Sequence, residues 1–314
     1  MHPALSVIFF TVVSGAGFGL VMLAALAALM PALLPVSEAE RLVAGVLGTA
    51  LATAGLMAST LHLANPKNAW RAFFRFRTSW LSREAVFSVL FYPFAVLWLG
   101  GVWWLGGPTA LTTAAALAAL VLAIATVFAT GMIYASLRAI PNWHSPLVPM
   151  NYLLLSLASG ALLMLAVQTV MRGGAVGQTL VTLTLALIAA AALGKAVYFY
   201  WIGAPAGSSI NTATGMTRGQ VRLLHTGQSS EQTFLDKEFR FQVAARRLRW
   251  LRLAVAALGF VLPLVLVASL LGGGSGWLVL LAVPVALAGL AIERWLFFAE
   301  ARHVVNLFYG AQRV

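Results

Sequence analysis

Long apolar stretches, each ended by a polar or glycine-rich break, recur from one end of the chain to the other. A hydrocarbon core about 30 Å thick needs roughly 20 mostly apolar residues to be crossed by a helix. Eight stretches meet that length: 5–34, 43–63, 85–105, 111–137, 151–171, 177–203, 252–271 and 277–299. They are Ala/Leu-rich and carry no short alternating segments, so the pattern predicts helices and not the strands of a membrane barrel. The first follows a short N-terminus, as a signal peptide does. It lacks a basic leading region and is too long for a signal core, so it reads as a helix. The expectation is an all-α polytopic membrane protein, with eight transmembrane helices in four hairpins forming a single integral membrane domain over 1–314.

Composition strengthens this reading: 61% of the 314 residues are apolar and 9% are charged, against roughly 25% charged in soluble domains. A soluble enzyme is thereby excluded. Cysteine is absent, which removes disulfides, an iron–sulfur cluster of the chain's own and a covalently attached haem.

Charge sets the orientation. Eight spans place both termini on one side, and that side receives sixteen of the 20 basic residues. They are Lys67, Arg71, Arg75, Arg77, Arg83, Arg138, Arg218, Arg222, Lys237, Arg240, Arg246, Arg247, Arg249, Arg252, Arg302 and Arg313. The opposite side receives Arg41 and Arg172, while Lys195 and Arg294 fall within spans. The excess of Lys and Arg predicts that both termini are cytoplasmic, in a bacterial inner membrane. A basic face that docks a protein would give the same asymmetry.

The opposite-side turns are short and glycine-rich, as in Gly106-Gly107-Pro108 and Gly272-Gly273-Gly274-Ser275-Gly276. Two connections on the basic side are long, 64–84 and 204–251, and read as docking loops. In the first, Trp70, Phe73, Phe74, Phe76 and Trp80 alternate with arginines, which predicts an interfacial amphipathic helix over 67–77; an aromatic belt with lipid-facing arginines reads equally well. In the second, Thr233 to Asp236 reads as a helix start. Arg71, Arg75, Arg77, Arg222, Arg240 and Arg246 are the candidate partner-docking residues. The basic loops could also meet nucleic acid, but the membrane setting accounts for them, and no nucleic-acid partner is expected. In the first span, Gly15 and Gly19 form a small-residue pair that admits either a helix backbone or a flat ligand.

Ionisable groups at membrane depth are functional candidates. His62 lies at the basic-side end of the second span, Lys195 and Tyr198 near the end of the sixth, and Glu293 and Arg294 near the end of the eighth. Imidazole, amine, carboxylate and phenol at one depth match the needs of a quinone headgroup, whose oxygens require hydrogen-bond donors and a proton exchanger near water. Competing readings are that Lys195 snorkels to the interface and that Glu293 and Arg294 pair structurally. Haem b is disfavoured, because His2, His62, His144, His225 and His303 all lie near one surface. No phosphate loop, HExxH, GxSxG or paired-Cys metal motif is present. A secondary transporter lacks support for want of paired broken helices in corresponding positions. A non-redox tether stays open.

Several loop stretches resemble the DmsC-type membrane anchor subunits of dimethyl sulfoxide reductase-like molybdoenzymes, the sulfite dehydrogenase membrane-subunit branch above all. They are His2 to Thr11 with Ser14 to Gly17, His62-Leu63 with Asn65-Pro66, Ala69 to Phe73, Ser79 to Glu84, Ala213 to Gly215, Val221 to Leu224, Glu238 to Phe241 and Glu293 to Ala301. The resemblance spans nearly the whole chain. It implies a non-catalytic subunit with no metal of its own. Such a subunit binds an iron–sulfur electron-transfer subunit, itself joined to a molybdopterin catalytic subunit, and exchanges electrons with membrane quinone (ubiquinone or menaquinone). The family's quinol-associated histidine at the end of the second span matches His62. Depth and chemistry add Trp80, Arg83, Lys195, Tyr198 and Glu293 as candidate quinone contacts. Docking loops on the cytoplasmic side favour a quinone-reducing, sulfite dehydrogenase-like complex over a quinol-oxidising exported reductase.

Overall fold

The computed structural model describes residues 4–60, 65–203, 207–216, 218–222, 245–309 and 311–313. Among them, eight helices are long and apolar enough to span a membrane. These are α1 (Leu5–Leu29), α2 (Glu38–Ser59), α3 (Trp80–Leu105), α4 (Ala110–Ala135), α5 (Leu147–Met171), α6 (Gln178–Trp201), α8 (Arg246–Gly272) and α9 (Leu278–Ala299). A short α7 (Ile210–Thr214) lies between α6 and α8. Consecutive spans pack as antiparallel hairpins, and α1 also touches α4, α5 and α9. It is the central helix: 78% of its most apolar window is buried, against 28% for α2.

Helix starts sit several residues before the apolar windows, because polar residues cap them. Ser37 and Glu40 form a capping box, the Ser37 hydroxyl accepting from the Glu40 N–H (3.3 Å) and the Glu40 carboxylate from the Ser37 N–H (2.9 Å). α2 therefore starts at Glu38 and not at 43. Ser79 caps α3 by accepting from the Ser82 N–H, which moves that start from 85 to Trp80. α1 ends at Leu29 and not at 34. Pro31 pushes its predecessor Met30 out of helical geometry, to φ −131° and ψ 63°.

Small residues bring the backbones together. A Cβ on Gly17 would lie 2.4 Å from the Ala52 N of α2, and one on Gly289 of α9 would lie 2.2 Å from the Gly259 N of α8. That second crossing falls within a π-helical turn, Val255–Val261, just before Pro263.

On the basic side, where the pattern predicts an interfacial amphipathic helix over 67–77, residues Pro66–Arg75 form a 3₁₀ helix. Trp70, Phe73 and Phe74 are exposed on it. The helix start read at Thr233 lies outside the described residues.

The short-turn side is closed by a charge clasp. Arg172, at the end of α5, pairs with Glu40 of α2, its Nη2 donating to Oε2 at 2.7 Å. The Glu40 side chain is 3% exposed and that of Arg172 34%. The Glu40 hydrogen bond raises the pKa of Arg172 further above its ordinary value. Glu40→Ala removes the pair and the carboxylate half of the capping box, and a loss of about 2 kcal/mol is expected. Arg172 is exposed enough to hydrate once released, which limits that loss. Glu40→Gln keeps the box and should lose about half as much. Thermal unfolding in detergent of the two variants checks the order. Equal melting points of the two variants would show that the box adds nothing beyond the ion pair.

A buried ion cluster near the basic side

Lys195 on α6 and Glu293 on α9 each lie about 9 Å from their helix ends at Trp201 and Ala299, at 1.5 Å per residue. Both helices run toward the basic side, so the two groups share one depth. Their side chains are 3% and 0% exposed and form an ion pair. Arg294 approaches the other Glu293 oxygen, Nε to Oε2, at 2.6 Å. One carboxylate thus serves two buried cations. Burying an unpaired charge is expensive in hydrocarbon, so the three groups hold one another in place. The structural pairing of Glu293 with Arg294 is therefore observed, and Lys195 turns inward where a snorkelling lysine would turn to the interface.

Aromatic rings close the cluster. The Lys195 ammonium lies 4.1 Å from the Tyr198 ring centre and 4.7 Å from that of Phe199. The Arg294 guanidinium lies 4.0 Å from the Tyr152 ring, a distance at which the ring face attracts a cation. Tyr198 donates its hydroxyl to the Asn142 carbonyl at 3.1 Å. Trp143 stacks on Phe297 (5.3 Å, 15°) and donates Nε1–H to the Phe297 carbonyl at 2.9 Å. Asn151 ties α5 to α6 through the Gly194 carbonyl.

A second polar group lies at a similar level. Glu84, four residues into α3, is buried and accepts from the Thr130 hydroxyl at 2.5 Å. Two small cavities run between the groups. One, of about 20 Å³, is lined by Arg294, Tyr152, Ser156, Ser159, Thr11 and Gly15. The other, of about 10 Å³, is lined by Glu84, Thr130, Tyr152, Ser156, Thr11 and Gly15 among others. Spaces of this size hold single waters, not a ring. The shared residues Thr11, Tyr152 and Ser156 lie between Glu84 and Arg294.

The remaining candidates lie elsewhere. Trp80 packs edge-on against Phe128 (5.9 Å), and the Arg83 guanidinium sits 4.2 Å from the Trp80 ring. Arg83 also donates to the carbonyls of Phe76 (3.0 Å) and Arg77 (2.9 Å), folding back over the first long connection. These contacts tie both residues to the first connection and α4, not to Lys195 or Glu293. Arg71, Arg75, Arg77, Arg222 and Arg246 are exposed. His62 and Arg240 lie outside the described residues.

Sequence reasoning passes over Glu84, Thr130 and Tyr152 as site residues. A carboxylate inside the window from Trp80 onward is the available signal for Glu84. Thr130 and Tyr152 give none.

The class these observations define is a multi-pass membrane protein with a sealed ion cluster beneath a basic, aromatic face. Among the described residues, no three His, Cys, Asp or Glu side chains gather as metal ligands. A family profile described as DMSO reductase anchor subunit (DmsC) matches residues 1–311. The chain is also similar to the C subunit of sulfite dehydrogenase from Allochromatium vinosum, at 34% identity over 98% of this chain and 99% of that protein. It belongs to the DMSO reductase anchor subunit family.

Proposed function

We propose that this chain is the membrane anchor and quinone-reactive subunit of a molybdopterin oxidoreductase complex of the sulfite dehydrogenase kind. The observation that carries this reading is its full-length likeness to the Allochromatium vinosum sulfite dehydrogenase protein. Electrons would pass between an iron–sulfur partner subunit and membrane quinone, which is the substrate of this subunit. The loops 64–84 and 204–251 would face the cytoplasm at the inner membrane and grip the partner. Exposed Arg71, Arg75, Arg77, Arg222 and Arg246 beside Trp70, Phe73 and Phe74 support that role. Such cations would steer an acidic surface, and the aromatic rings would bury against it. Arg240 belongs to the same proposed surface.

For quinone, the proposed site residues are His62, Trp80, Arg83, Lys195, Tyr198 and Glu293. The cavities beside Arg294 and Glu84 are water-sized, so the ring itself would sit outside the ion cluster. Lys195, Glu293 and Glu84 would hold and exchange protons with the basic-side surface. His62→Leu in the assembled complex is expected to slow quinone turnover at least tenfold, roughly 1.4 kcal/mol of barrier. Dye-linked activity of the soluble subunits should not change. Unaltered quinone turnover removes His62 from the site. A complex that never turns over quinone leaves only a tether.

A further inference from the structure

Among the described residues, a ring-sized space opens at the basic-side ends of α4 and α5, outside the ion cluster. It is a cleft of about 530 Å³, lined by Phe128, Met132, Met150, Leu153, Pro149 and His144 among others. Its walls are apolar and its rim residues Phe128 and Met150 are exposed, as befits a cleft facing lipid. A close approach supports one wall: a Cβ on Gly131 would lie 2.6 Å from the Pro149 Cα.

His144 is its hydrogen-bonding end. The imidazole Nδ1 stands 2.7 Å from the Ala135 carbonyl. A carbonyl only accepts, so Nδ1 carries a proton, and in the neutral imidazole Nε2 then presents a lone pair. A group that meets this nitrogen must donate a hydrogen bond. Water at the membrane surface could do so, but it would leave the apolar walls uncovered. A hydroxylated ring with a hydrocarbon tail satisfies both, and lipid supplies such molecules as hydroquinones.

The cleft is also wired to the rest of the site. Phe128 touches Trp80, beside the basic first connection. Trp143, next to His144, stacks on Phe297, whose ring is 5.5 Å from the Arg294 guanidinium. We propose that this cleft is a headgroup site for membrane hydroquinone, in which a ring hydroxyl donates to His144 Nε2. The inference rests on the quinone-linked reading above and assigns it a place of contact.

The test is equilibrium binding of a radiolabelled benzoquinol with a ten-carbon tail to the assembled complex in lipid nanodiscs. His144→Leu removes the acceptor, and Met150→Trp fills the cleft from its lipid side. Both positions are exposed, so neither change opens a void in the core. Each variant should weaken one binding component about tenfold, the size of one lost hydrogen bond plus ring contact. Unchanged binding in both cleft variants, alongside loss in His62→Leu, overturns the cleft and leaves the quinone-linked reading standing. A parent complex that binds no benzoquinol overturns both.

Discussion

Glu293→Gln is expected to destabilise the folded subunit severely, whereas Lys195→Met should leave it close to the parent. The charges explain the asymmetry. Two cations and one carboxylate are buried together, with Lys195 and Arg294 both resting on Glu293. Removing the carboxylate leaves two side chains, 3% and 5% exposed, with like charge and without the group that pairs both. Loss of one partner from a buried pair costs about 3–5 kcal/mol, a large part of the roughly 5–15 kcal/mol that holds a typical domain together. The amide of Gln accepts one hydrogen bond but turns its NH₂ toward the second cation. Removing Lys195 instead leaves Glu293 and Arg294 as a neutral pair 2.6 Å apart. Met is close in length to Lys and loses chiefly the ring contacts, a cost of about 1 kcal/mol. The double variant Lys195→Met/Glu293→Gln should recover part of the Glu293→Gln loss, since one cation then lacks that carboxylate where two did. Such coupling is the signature of groups in one network. Thermal unfolding of the purified subunit in nanodiscs reads all three. A Lys195→Met protein less stable than Glu293→Gln would contradict the two-cation arrangement.

How much of this arrangement the sequence discloses depends on the distance over which each feature is encoded. The eight spans are local, because twenty apolar residues in a row report on themselves. Their N-terminal ends are hidden where a polar group is satisfied within its own first turn. Glu38, Glu40 and Arg41 look like loop residues until Ser37 and Glu40 are seen to cap one another. Lys195 and Glu293 stand out by depth alone. Their partnership does not, because α6 and α9 meet only in the tertiary fold. Arg294 can be read either as part of a functional constellation or as a structural partner, and it takes Glu293 as partner. Glu84 follows Ser82 and Arg83 and so resembles a helix boundary. Only the packing of α3 on α4 shows that it points inward to Thr130. The cleft at His144 is the least legible feature, since it is a gap between two helices and leaves no mark on either.

Gly19→Val should prevent assembly of the helical bundle. Gly15 and Gly19 leave open in sequence whether the first span receives a helix or a flat ligand, and a helix occupies the position. A Cβ on Gly19 would lie 1.8 Å from the Ser156 carbonyl oxygen of α5, and one on Gly160 would lie 2.2 Å from the Gly19 carbonyl carbon. Both obstacles are backbone, so no side-chain rotation relieves them. The helices must move apart, and α1 is the helix around which the others pack. Without a hydrophobic force between helices in lipid, close packing supplies much of their association. Overpacking of a core ordinarily costs about 1–3 kcal/mol and more where backbone must move. Gly19→Val belongs to the second case, because separation of α1 from α5 also disturbs the cavity walls at Gly15, Tyr152 and Ser156. Gly100→Val is the control: a Cβ there meets nothing within 4 Å. Yield of monodisperse protein extracted from membranes should fall severalfold for Gly19→Val and hold for Gly100→Val. Equal recovery of the two would mean that α1 and α5 do not cross at Gly19.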